Sequence, residues 1–462
     1  MCIRDSLYIM GATGSSNFPM LPSSYDNTFN GGVSTNINGL SFQNGSDIYI
    51  LGLNPNGTAL VGATFLGGTS NDGINNSNDL AYNYADQSRG EINLDDEGFV
   101  YIASCTESNN FPVSPNAFRT GNGGNQDGII AKLNPSLTTL IFSTYMGGSQ
   151  DDAAYGVDVG SDGNVYAAGG TASNNFPMVA GGFDTSFGGN VDGWMIRLSP
   201  TGQSLLNSTF IGTSAYDQIY LLQISEDGNP HYFGQTEHSG SDLIFNAAYN
   251  NSGGGQIVGN INQNLSAPIW MTQFGSQVGR PNISPSAFLV DVCSSVYIAG
   301  WGGSLLGGGS GNPGGIGGLV TTNDAFKQTA DIGGDFYLAV ITSDGNSLVY
   351  GSYYGGNSSG EHVDGGTSRF DRSGKVYQSV CAGCGGLDDF PIAPNPGAWS
   401  PENGSNNCNN GVFKIDFDLP IVLANFNIPE FGCAPYTINI ANRSKLQTNT
   451  SFFWDFGNGT SS

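Results

Sequence analysis

A chain of 462 residues is long enough for one large domain and part of a second, and 71 glycines with 11% charged beside 11% aromatic residues describe turns joining apolar strands rather than helices. The 13 Lys and Arg against 38 Asp and Glu leave a net charge of −25, a field that repels phosphate backbones and anionic headgroups and argues against nucleic acid as a partner. No stretch approaches the roughly 20 apolar residues of a bilayer span, so no membrane insertion is expected, and 27 Phe with 20 Tyr supply too much burial material for a disordered chain.

Residues 1–6, Met1-Cys2-Ile3-Arg4-Asp5-Ser6, match nothing downstream and resemble an adaptor-derived prefix, so they are set aside. From Leu7 a repeat organises the chain. Tyr8 is followed by Tyr101, Tyr166, His231, Tyr297 and Tyr377, each placed after a turn such as Asp96-Glu97-Gly98, Ser161-Asp162-Gly163 or Arg372-Ser373-Gly374. The middle anchors step by 65, 65 and 66 residues; the longer steps hold an Asn-rich insertion, 71–86, and a glycine run, 302–318, both expected to extend loops without disturbing strands.

Within the cleanest unit, residues 155–159 alternate, Ser161-Asp162-Gly163-Asn164 supplies a tight turn, and residues 165–169 return. Residues 192–198 and 205–212 add two more strands around a Ser-Pro-Thr-Gly turn. Four antiparallel strands per unit, each sheet able to bury its faces only on its neighbours, predict an all-β fold: a β-propeller of about six visible four-stranded blades in an incomplete ring. A row of sandwiches would need about seven strands per unit; a flat β-solenoid satisfies the same repeat logic. The units beginning near residues 7, 90, 155, 220, 287 and 366 are expected as blades around one axis. The first lacks its opening strand and the last shows only three. Tyr101, Tyr166, Tyr297 and Tyr377 are expected at equivalent positions on second strands, packed between sheets.

Phe142-Ser143-Thr144-Tyr145-Met146-Gly147-Gly148, Tyr350-Gly351-Ser352-Tyr353-Tyr354-Gly355-Gly356 and the Asn/Asp-Phe-Pro triplets at 17–19, 110–112, 175–177 and 389–391 resemble the SBBP repeat family, whose name denotes a seven-bladed β-propeller. The resemblance covers most of 7–418; the units around His231 and Trp301 lack the Phe-Pro pair. After a linker, 419–423, residues 424–462 change pattern. Cys433-Ala434-Pro435-Tyr436 and Phe453-Trp454-Asp455-Phe456-Gly457-Asn458-Gly459 resemble the PKD domain, an immunoglobulin-like β-sandwich of which only part fits in this length. That resemblance implies Trp454 in an inter-sheet core and Asp455, Phe456, Gly457 and Gly459 at the turn after it.

Chemical motifs are sparse. Gly356-Asn357-Ser358-Ser359-Gly360, near His362, spells a nucleophile elbow without the strand-to-helix context that an elbow needs. Asp455-Phe456-Gly457 spells a kinase triplet without its companions. His231, His238 and His362 show no zinc-protease spacing. Carboxylate neighbours such as Asp95/Asp96 and Asp151/Asp152 read mostly as turn residues. No cofactor is expected; calcium stays open, because loops such as Thr69-Ser70-Asn71-Asp72-Gly73 offer hard oxygen ligands. Cys381, Cys384 and Cys408 fall in one unit. They read as a zinc set that wants a fourth ligand, with no histidine near in sequence, as three thiols, or, in an oxidising exterior, as a Cys384–Cys408 disulfide.

The expected function is that of a non-enzymatic extracellular or cell-surface binding and display protein, with an extracellular protein or polysaccharide as partner. The SBBP and PKD resemblances imply secretion, in proteins of gliding bacteria through the type IX route, and a stalk role for PKD modules in adhesion or gliding motility. Two alternatives compete. A lectin-like propeller would use exposed aromatics such as Trp301 or Trp399, and a propeller hydrolase or lyase would carry carboxylates or histidines on the innermost strands, where Asp158 falls.

Overall fold

The computed structural model describes residues 6–37, 39–303, 315–331, 333–363, 369–371, 373–393 and 397–417, together with 426–427, 441–442 and 453. The first sheet joins β1 (Leu7–Thr13), β4 (Asp47–Leu53) and β5 (Leu60–Leu66), with a hairpin of β2 (Thr35–Ile37) and β3 (Leu40–Phe42) between β1 and β4. The second holds β6 (Glu91–Leu94), β7 (Val100–Thr106), β8 (Asp127–Leu133) and β9 (Leu140–Met146). The third holds β10 (Asp152–Val159), β11 (Val165–Thr171), β12 (Asp192–Leu198) and β13 (Leu205–Ile211). The fourth holds β14 (Asp217–Ile224), β15 (Pro230–Thr236), β16 (Gly254–Ile261) and β17 (Pro268–Val278). The fifth holds β18 (Ser284–Val290), β19 (Val296–Gly302), β20 (Asp335–Ile341) and β21 (Leu348–Tyr354). The sixth has β22 (Arg369–Phe370), β23 (Lys375–Ala382) and β24 (Asn409–Asp416). Among the described residues the only helical element is one 3-10 turn, Asp86–Ser88.

These sheets are six propeller blades. Each meanders in chain order with antiparallel neighbours, and the first strand of one packs against that of the next. In the third blade Gly163 at φ 77° makes the hairpin turn, closed by Gly160 N–H donating to Asn164 O at 2.9 Å. Burial on both faces follows from the packing: every residue of β7, β11, β15, β19 and β20 is buried. The end blades differ. In β23 burial alternates strictly, with Val376, Gln378, Val380 and Ala382 buried and their neighbours at least partly exposed, so one face is covered by the fifth blade and the other is open.

The tyrosine anchors share one register, Tyr101 opposite Lys132, Tyr166 opposite Arg197, Tyr297 opposite Val340 and Tyr377 opposite Lys414. Tyr101, Tyr166 and Tyr297 are buried between blades, but Tyr377 is 42% exposed. The expectation that it packs between sheets fails because it stands on the open face.

The repeated motifs have one physical basis. The first glycine of each Gly-Gly pair lies where two buried carboxylates meet, one opening the third strand of a blade and one opening the next blade. A Cβ on Gly147 would lie 2.5 Å from Asp127 Oδ1 and 2.7 Å from Asp152 Oδ2, and one on Gly67 would lie 2.6 Å from Asp47 Oδ1 and 2.9 Å from Asp72 Oδ2. The Asn or Asp before Phe-Pro caps the turn after the second glycine: Asn110 Oδ1 accepts from Thr69 N–H at 3.0 Å and Asn175 Oδ1 from Ser149 N–H at 2.9 Å. The phenylalanine then enters the core, Phe176 lying 4.9 Å from the Trp194 ring.

The axis is filled. The Asn-rich insertion, expected as an extended loop, runs inward and touches the inner strands of successive blades. Asn75 Nδ2 donates to Tyr155 Oη at 3.0 Å, Gln218 Nε2 to Leu80 O at 2.9 Å, and Asn83 and Gln235 exchange two amide bonds at 2.8 and 3.0 Å. Arg89 pairs with buried Asp86 and donates to Ser284 Oγ at 2.7 Å and Pro285 O at 2.9 Å. The amide-rich composition that suggests a solvated turn is equally able to satisfy polar groups lining a channel, and here it does so.

The motif residues Trp454, Asp455, Phe456, Gly457 and Gly459 lie outside the described residues, as do Cys433 and residues 304–314 of the glycine run. From 424 onward a short pairing of β25 (Phe426–Asn427) with β26 (Ala441–Asn442) is described.

Candidate functional site on the sixth blade

In the hub the plug packs against the inner strands of the third and fourth blades. Beside the plug a void of about 10 Å³ remains, lined by Tyr84, Arg89, Ser284, Ser286 and Trp301, room for about one water. Burial and the Asp86 charge push the hydroxyls of Tyr155, Tyr216 and Tyr220 well above their usual range, so they stay neutral donors. Asp158 accepts from Asn93 Nδ2 at 2.7 Å and from Ile224 N–H at 2.7 Å, linking the inner strands of three consecutive blades. Burial raises its carboxyl to about 6. Gln223, one repeat later, plays the same part with Val290 N–H at 2.7 Å. This position is a clamp between blades.

Other candidate groups are similarly engaged. Asp72 accepts from Thr106 and Ser108 hydroxyls and from Gly68 N–H, so the Thr69–Gly73 loop spends that carboxylate on internal donors rather than on calcium. Asp152 is no turn residue. It is buried at a blade junction and partnered by Asp127, not Asp151. In the Gly356–Gly360 loop the N–H groups of Asn357, Ser358 and Ser359 all point at Asp389 Oδ2, at 2.8, 2.7 and 3.2 Å, a cap for the Asp-Phe-Pro motif rather than a nucleophile elbow. His231 is buried, its imidazole pushed down to about 4 by burial, and His238 pairs with Asp242 at 2.6 Å. Trp301, an expected exposed aromatic, is buried beside Tyr84 and His362. On a strand covered on both faces, alternation carries no exposure signal.

The sixth blade carries a surface cleft and the fully exposed Trp399. Its long connection between β23 and β24 holds a cleft of about 70 Å³ lined by Leu387, Asp388, Phe390, Ile392, Glu402 and Asn403. Asn403 knits the cleft wall, its Nδ2 donating to Gly383 O, Leu387 O and Asn407 O at 3.1, 2.9 and 3.1 Å. Trp399, next to the lining residues Ser400 and Pro401, is 100% exposed. The connection is pinned by a Cys384–Cys408 disulfide with a Cα–Cα distance of 4.0 Å. Cys105 is buried on β7 and Cys293 lies exposed in the turn after β18.

Sequence reasoning found no histidine for the cysteines, but the fold supplies one. His362 pairs with Cys381 across the blade, N–H to O at 3.2 Å and O to N–H at 2.9 Å, and its Nδ1 lies 3.8 Å from Cys384 Sγ. The signal lay in the repeat: Glu361 occupies the position of Asp72 and Asp152, so the next residue faces the one four beyond the tyrosine anchor.

No family model matches the chain, and no curated protein matches it. Among solved structures it aligns with a protein of unknown function from Dyadobacter fermentans at 11% identity and TM-score 0.34, covering 58% of this chain and 62%, less than two thirds, of that one. It aligns with a family 25 ulvan lyase at 12% identity and TM-score 0.36, covering 86% and 84%, and with an endo-arabinase from Bacteroides thetaiotaomicron at 13% and 0.30, covering 71% and 93%. The propeller assignment rests on the six sheets. Among the described residues no helix is long and apolar enough to cross a membrane.

Proposed function

We propose that this chain is a non-enzymatic binding and display protein of the cell exterior, an SBBP-type propeller carrying a PKD-like module as stalk, which captures a polysaccharide with the sixth-blade connection. The observation that supports this reading is the pairing of a plugged hub with an exposed aromatic beside a small cleft of mixed apolar and acidic lining. A sugar ring offers an apolar face to stack on an indole and hydroxyls for Asp388 and Glu402, while the propeller holds that loop rigidly through its disulfide. Adhesion and gliding motility are the processes such a surface would serve.

The test is affinity electrophoresis and a glycan array with the full chain and Trp399→Ala. Retention on at least one acidic or neutral polysaccharide, weakened 10-fold or more by Trp399→Ala with unchanged thermal unfolding, is the expected result. Retention indifferent to Trp399 removes the site, and release of oligosaccharide products removes the non-enzymatic part.

A further inference from the structure

Three cysteines and one histidine converge at one edge of the sixth blade from three places in the chain. The donor atoms of His362, Cys381 and Cys384 all lie within 4.8 Å of one another, and Cys408 is joined directly to Cys384. A tetrahedral zinc with bonds of about 2.3 Å to sulfur and 2.0 Å to nitrogen separates its donors by about 3.5–3.8 Å. The 3.8 Å between Cys384 Sγ and His362 Nδ1 already fits that spacing.

The backbone fixes the arrangement. His362 and Cys381 face each other as a bridged pair, and Gly383 at φ 64° turns the chain between the two cysteines of the Cys-x-x-Cys segment. The second blade provides an internal contrast. There Cys105, at the position equivalent to Cys381, faces Gly73, which offers no ligand, and Cys105 itself is buried. His362, Cys381 and Cys408 are only partly buried, so an ion in solution can reach them.

We propose that His362, Cys381, Cys384 and Cys408 form one thiol-gated zinc site, closed as the Cys384–Cys408 disulfide when oxidised and open to a single zinc ion when that disulfide is reduced. The S–S bond takes two electrons and two protons from a reductant, here a trialkylphosphine and water, which become the phosphine oxide. The three thiols then give up their protons to solvent as zinc binds, and His362 joins as a neutral imidazole. The same residues thus cross-link the connection under either condition, by a covalent bond outside the cell's reducing compartments and by a metal where thiols persist.

The test uses the full chain, untreated or reduced with the phosphine and freed of it without oxygen, titrated with cobalt(II) and zinc(II). Expected is one equivalent of zinc after reduction that is not taken up before it, with tetrahedral thiolate–cobalt absorption appearing only in the reduced protein. Cys381→Ser leaves the Cys384–Cys408 bridge available, so its fold is verified in the oxidised state; after reduction its zinc affinity falls 10-fold or more, as does that of His362→Ala. Cys105→Ser and Cys293→Ser bind as the unsubstituted chain does. Reduced protein that takes up no zinc, or takes it up unchanged in Cys381→Ser, overturns the proposal.

Discussion

Arg89→Met tests whether the plug holds the hub together. The guanidinium is the partner of Asp86 Oδ1, while Asp86 Oδ2 keeps Asn83 N–H at 2.7 Å and Tyr220 Oη at 3.1 Å. Both ionic partners are buried, and the guanidinium also lies 4.3 Å from the Tyr220 ring. Methionine keeps much of the volume but leaves a buried carboxylate uncompensated, at about 3–5 kcal/mol. The Pro285 carbonyl also loses its donor, about 1 kcal/mol more, while the Ser284 hydroxyl can turn elsewhere. The expected loss is about 4–6 kcal/mol, read as a lower urea midpoint by tryptophan fluorescence, with earlier proteolysis between residues 71 and 90. Asp86→Asn together with Arg89→Met removes both charges, so the double variant is expected to recover about 2 kcal/mol or more over Arg89→Met alone. A loss below about 1 kcal/mol for Arg89→Met, or a double variant no better than the sum of the singles, refutes the reasoning.

Stability is expected to fall as pH rises from about 4 to about 7. Burial holds the Asp72, Asp152, Asp192 and Glu361 carboxyls at about 7 in the folded chain, above their unfolded values, so the native state binds more protons across that window and the stability present below it is lost above. Urea midpoints at about pH 5 and pH 8 check this, on the order of 3 kcal/mol per junction pair, and Asp152→Asn should flatten the slope; a midpoint that rises with pH contradicts it. Gly147→Ala drives a methyl into Asp127 and Asp152 and should destabilise by about 1–3 kcal/mol or more, whereas Gly121→Ala, with nothing within 4 Å, should be near neutral in the same melts. Tyr166→Ala should remove about 3–5 kcal/mol and Tyr377→Ala about 1 or less, since only the first ring is covered on both sides; equal losses would show the open face of the sixth blade to be packed in solution.

The blades were legible because their signals are local. The Gly-containing turns before Tyr101, Tyr166 and Tyr377 and the Gly-Gly pairs after β5, β9 and β21 are demanded by the backbone of one unit, and repetition multiplies the signal. What escaped depends on partners far along the chain. The residues from Asn71 to Arg89 have the composition of a loop, and nothing near them reveals that Tyr155, Tyr220 and Gln235 line the space they enter. Trp301 and Trp399 look alike as letters, yet one sits on a doubly covered strand and the other on a connection. His362 escaped because spacing was measured along the chain, whereas the pairing that brings it to Cys381 runs across a blade.

The plug also sets an order of events during folding. In an array where each unit touches only its neighbours, stability adds up pair by pair and either end can fray independently. Residues 75, 83 and 89 reach partners 80, 152 and 196 positions downstream, so their seats do not exist until the third, fourth and fifth blades have been synthesised and paired. Seating is therefore a late step, limited by closure of long loops. Until it happens, the inner strands present their hydroxyls and amides to water, which the plug must displace; afterwards, releasing any one of those blades means withdrawing a segment that also secures the others, and hydrogen exchange along β10, β14 and β18 should report a single shared opening.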